Sequence, residues 1–141
     1  MRNFRLIGAL ALVGTLGGCA STGLLEQPGV SETFSVSADY QAAYRRAGEY
    51  VRVCHETRAH RYGVVYTSHR ELGVRDAPNR IQVVNRAEPA KVLEIIRSEM
   101  DGPSASKVTI TVLGGAPWDQ AEIDAARKSI QSATPVCRPE E

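Results

Sequence analysis

Neither sign of charge dominates this chain: 17 Lys and Arg stand against 16 Asp and Glu, a formal balance of +1. A surface so balanced offers no general attraction for nucleic acid or for an anionic membrane, and a charge-driven partner would need a local patch. No apolar run is long enough to cross a bilayer, which takes about 20 residues. No Gly-x-Ser-x-Gly elbow appears, and Gly114-Gly115 lacks the spacing and the Lys of a phosphate-binding loop. No repeat is visible. Cysteine is scarce, with three in 141 residues, so each one has to be accounted for. The length suits one domain.

What is present begins near the N-terminus. Arg2 and Arg5 precede an apolar stretch from Leu6 to Leu16, and Leu16-Gly17-Gly18-Cys19 follows at its end. A positive region, a short apolar region and small residues before a cleavage point are the three parts of a secretory signal. With a cysteine directly after them, the segment resembles that of bacterial lipoproteins, whose lipobox reads Leu, a small residue, Gly or Ala, then Cys. The resemblance implies that residues 1–18 are removed and that Cys19 becomes the lipidated first residue. It also implies palmitate-class acyl chains, which give a stable anchor when two or more are present. Ala20 in place of Asp implies the outer membrane, facing the periplasm of a Gram-negative cell. Losing Arg2 and Arg5 leaves 15 basic against 16 acidic side chains, a balance of −1.

Residues 19–34 are rich in Ser, Thr, Gly, Pro, Glu and Gln without apolar periodicity, and read as a flexible tether. A single periplasmic domain is expected over 35–141. Tyr40, Tyr44, Ala47, Val51 and Cys54 recur at helical steps, with Ser37 the expected N-cap. Residues 63–69, 80–85 and 107–113 read as strands from their β-branched content and alternation. Residues 91–100 fit a helix or a strand, and the turn signal Asp101-Gly102-Pro103-Ser104 favours a strand and hairpin. Asp119 caps a final helix, Glu122 completes a capping box with it, and Trp118 and Ile123 form a hydrophobic staple. The expected fold is α+β: helix, three- to four-stranded antiparallel meander, helix, with both helices on one face of the sheet. With Cys19 committed to lipid in an oxidising compartment, Cys54 and Cys137 are expected to form one disulfide.

Candidate chemistry is sparse. His55-Glu56-Thr57-Arg58-Ala59-His60 resembles a zinc-protease helix but has five-residue spacing, which on an α-helix turns the rings roughly 140° apart. His69 could add a third ligand only if the fold brought it back, and the expectation is solvated surface histidines and no metal. Arg45, Arg46, Arg52, Arg58 and Arg61, with Tyr50 and Tyr62 between, could meet anionic groups, although interspersed Glu49, Glu56 and Glu71 make a mixed charged face the simpler reading. No catalytic residue and no cofactor are expected. The sequence therefore reads as a non-enzymatic envelope lipoprotein, attached to the membrane through its lipid, with an envelope protein as partner and no nucleic acid. Its alternative is a periplasmic binding module for a lipid or cell-wall ligand.

Overall fold

The computed structural model describes residues 23–139. The signal segment, Cys19 and the start of the tether lie outside these residues. The elements are β1 (Val30–Val36), α1 (Tyr40–Val51), β2 (Tyr66–Glu71), β3 (Asn79–Asn85), β4 (Glu88–Met100), β5 (Ser106–Val112) and α2 (Gln120–Ser132). The fold is α+β. Five strands form one antiparallel sheet in the order β1-β5-β4-β3-β2. Strands β2 to β5 are the expected meander, and 91–100 is indeed strand. Helix α1 lies over β3, β4 and β5, α2 over β5 and β1, and the helices pack on each other. Between helices and sheet sits one core, in which Ile81, Ile96, Ile110, Ile123 and Ile130 are fully buried.

The additional strand is β1, which corrects the tether from residue 30 onward. Its register places Ser31 opposite Thr111 and Thr33 opposite Thr109, and each hydroxyl pair meets at 2.8 Å. A backbone ladder reinforced by cross-strand hydroxyl pairs orders a segment poor in apolar side chains. Upstream, the Leu24 amide donates to the Val92 carbonyl at 2.9 Å, so the chain is already held to the domain there.

Two helix starts differ from the sequence expectation. The α1 cap is Asp39, whose carboxylate accepts from the Gln41 and Ala42 amides, rather than Ser37. At α2, Asp119 caps as expected, accepting from the Ala121 amide, but Glu122 turns inward instead of back toward the cap. Beyond α1 the backbone widens into a π-turn over Arg52–Glu56, closed by the Thr57 amide donating to the Arg52 carbonyl. This segment buries Cys54 and His55 in succession, and Cys54 is bonded to Cys137 as expected. A β-bulge in the pairing of β3 with β4 falls between Val83 and Val84, beside Glu94.

Candidate functional site

Three irregularities, the π-turn, the bulge and the redirected Glu122, converge on one buried polar cluster. His55 comes from the π-turn, Glu94 from β4 and Glu122 from the first turn of α2, and none is more than 1% exposed. His55 Nε2 lies 2.8 Å from Glu122 Oε1 and 3.6 Å from Glu94 Oε2. The Tyr50 hydroxyl donates to the same Glu122 oxygen, and Arg138 Nε donates to the other at 2.7 Å. Glu94 is treated differently: neither of its oxygens has a hydrogen-bond partner, and His55 Nδ1 also lacks one. Buried polar atoms without partners are uncommon and call for a reason.

The two carboxyls are driven apart in acidity. Burial, then the charge of Glu122, pushes the Glu94 carboxyl well above the ordinary glutamate range. Burial also acts on Glu122, but hydrogen bonds with His55 and Tyr50 and the Arg138 charge outweigh it and hold that carboxyl below its ordinary value. Burial and the nearby carboxylates raise the Tyr50 phenol well above its own.

A pocket of about 260 Å³ opens on the other side of an aromatic wall. Arg58, His60, Arg61, Tyr62, Tyr66 and Arg138 line it, and none of its described lining residues is a carboxylate. Tyr66 stands edge-on to Trp118 with ring centres 5.1 Å apart, and both rings contact His55. The Arg138 guanidinium carbon sits 5.8 Å from the Trp118 ring centre, within cation–π range. Arg138 therefore belongs to both sites: one edge is fixed by buried Glu122, and the residue lines the pocket. Its backbone is held on either side, by the disulfide at Cys137 and by Arg58 donating to the Arg138 carbonyl at 2.8 Å. At the rim Tyr62 is 97% exposed and adopts φ +58°, a left-handed conformation that costs a non-glycine residue roughly 1–2 kcal/mol.

The residues singled out from sequence divide accordingly. Arg58, Arg61 and Tyr62 meet in the pocket, whereas Arg46 donates to the Ile130 carbonyl, Arg52 pairs with Glu49 and Arg45 is exposed. Tyr50 is buried in the cluster. The histidine expectation is corrected: the helical segment ends by Glu56, the chain folds back, and the His55 and His60 rings lie 6.4 Å apart and nearly parallel. His60 Nε2 is occupied by the His55 carbonyl, and His69 is on the outer strand β2, exposed. Sequence reasoning missed Glu94, Glu122 and Arg138 as a group. A signal existed for the glutamates: Glu94 alternates with Ile96 on the core face of β4, and Glu122 precedes Ala126 and Ile130 at helical steps.

No protein-family model, curated protein or solved structure matches the chain.

Proposed function

We propose that the chain is a lipid-anchored envelope lipoprotein facing the periplasm, and that it acts there without catalysis as a binding module for an anionic ligand. The observation that carries the binding reading is the pocket, which three arginines, a histidine and two tyrosines line together. Arginine's planar fork suits phosphate and carboxylate, and the tyrosine rings suit the apolar or sugar faces that accompany such groups on lipids and cell-wall fragments. The strongly perturbed carboxyls of Glu94 and Glu122 are fully buried and are not among the residues that line the pocket. This supports binding over catalysis. The Cys54–Cys137 bridge fits an oxidising compartment, and the lipobox ending at Cys19 supplies the anchor.

The interaction role expected from the sequence keeps one observation in its favour. Leu72 and Val74, between β2 and β3, are 65% and 76% exposed and could meet an envelope protein.

The pocket is tested by NMR titration of the exported Cys19→Ser chain with inorganic phosphate and, separately, with N-acetylmuramic acid. Shifts confined to Arg58, Arg61, Tyr62 and Tyr66 support the reading, and the stronger response tells a phosphate source from a carboxylate one. Absence of shifts there in both titrations would sink it. Palmitate labelling of the wild type that disappears in Cys19→Ser tests the anchor.

A further inference from the structure

We propose that His55, Glu94 and Glu122 form a binding site for a divalent first-row transition-metal ion, with zinc the best fit. One ligand atom from each of the three residues lies within 4.8 Å of the others, and each residue comes from a different element. The site is thus a clamp joining the end of α1, strand β4 and the start of α2.

The independent sign of a ligand is Glu94. Its carboxyl group is 0% exposed, and both oxygens lack a hydrogen-bond partner. A proton alone does not repair this. Protonation would give one oxygen an O–H, but His55 Nε2 stands 3.6 Å from Oε2, too far to accept it, and the other oxygen would still lack a donor. A cation held by the three residues would give the Glu94 carboxylate the partner it lacks.

Spacing and charge agree with that assignment. Donors on a tetrahedral zinc with bonds of about 2.1 Å are roughly 3.4 Å apart. The two separations measured from His55 Nε2, 2.8 and 3.6 Å, bracket that value. Two buried carboxylates carry two negative charges against the single positive charge of Arg138, and a cation offsets the excess. Glu122 would bind through Oε1, because Oε2 is already held by Arg138, and the Tyr50 hydroxyl stands at the metal-facing oxygen. Outer contacts of this kind orient a ligating carboxylate. An imidazole among few oxygens favours zinc and its neighbours over magnesium or calcium, which take six or more oxygen donors.

Because the site is closed, the test loads it during folding. The exported Cys19→Ser chain is unfolded in guanidinium with its disulfide intact, refolded with zinc chloride or with EDTA, and desalted. Expected are one zinc per chain by elemental analysis and a Tm several degrees above that of the EDTA-refolded protein, with no comparable rise for magnesium. Glu94→Gln keeps the shape of the side chain and should weaken zinc binding by more than about 100-fold. Glu99→Gln, at a half-exposed position of the same strand outside the cluster, should not change it. Substoichiometric zinc with equal Tm values, an equal response to magnesium, or full zinc retention by a folded Glu94→Gln variant would each overturn the proposal.

Discussion

Replacing Arg138 by Gln should destabilise the fold in a pH-dependent way. The Arg138 side chain is 12% exposed and Glu122 is 0% exposed, so their 2.7 Å hydrogen bond is hardly screened by solvent. A hydrogen bond to a charged group contributes about 1.5–3 kcal/mol. Stripping a buried charge of its partner altogether costs about 3–5 kcal/mol. Glu122 retains Tyr50 and His55, so the lower range applies, and the expected loss at neutral pH is about 2–3 kcal/mol. For a domain of this size that lowers Tm by roughly 10 °C. The sign follows from the carboxyl. Glu122 is held below its ordinary value, so its contribution is present above the unfolded-state value and fades as pH falls through the folded-state one. Urea unfolding of wild type and Arg138→Gln should therefore differ most near pH 7 and converge toward the acid limit of stability. Arg138→Lys keeps the charge without the rigid fork and should fall between them. An equal difference at both ends of the pH range would refute the reasoning.

Three further outcomes follow. Removing the bridge by Cys54→Ala with Cys137→Ala opens a loop closed across a sequence separation of 83, and should cost about 4.5 kcal/mol on the loop-entropy account; urea unfolding showing a loss below about 1 kcal/mol would contradict that account. In metal-free protein the raised Glu94 carboxyl contributes stability that is complete below the unfolded glutamate range and is lost as pH rises through the folded-state value. The decline should flatten in Glu94→Gln, as checked by thermal melts across pH. Tyr62→Gly relieves the left-handed backbone but gives up about 0.5–1 kcal/mol of chain entropy. Its stability should thus stay close to wild type, while phosphate affinity measured by NMR falls several-fold as the rim ring is lost.

Much of the scaffold was legible because its signals are local. Alternation in Val108, Ile110 and Val112 identifies β5, and a turn signal after residue 100 separates two strands where helix propensity alone would mislead. Strand β1 was not legible because its outward side is Ser31, Thr33 and Ser35, and its partner β5 is some 80 residues away. The cysteine pair could be read because counting suffices. The cluster could not. Asp119 and Glu122 match a capping box in spacing, yet the glutamate's partners are Tyr50 and His55, 72 and 67 residues earlier. A local rule predicts a local hydrogen bond, and burial against α1 and the π-turn overrode it. His55 and His60 failed for the related reason that helical spacing stops applying where the helix ends.

Arg138 connects the two sites, and the connection has a sign. Its guanidinium is held by Glu122 from within and borders the pocket from without. A dication on Glu122 Oε1 draws on the same carboxylate charge that holds Arg138, leaving more of the guanidinium's charge for an anion outside. An anion in the pocket, by the same competition, leaves more of the carboxylate's charge for the metal. Direct attraction between cation and anion acts in the same direction. Linkage then requires that each ligand strengthen the other by an equal factor, and couplings of this kind are typically 5- to 150-fold. Phosphate titrations of zinc-refolded and EDTA-refolded protein should show tighter binding in the zinc form by about tenfold, the middle of that range. Arg138→Gln should remove most of the difference while leaving Arg58 and Arg61 to bind weakly. Equal phosphate affinities in the two forms would mean that Arg138 serves the buried cluster alone, and that the pocket and the cluster share a residue without sharing energy.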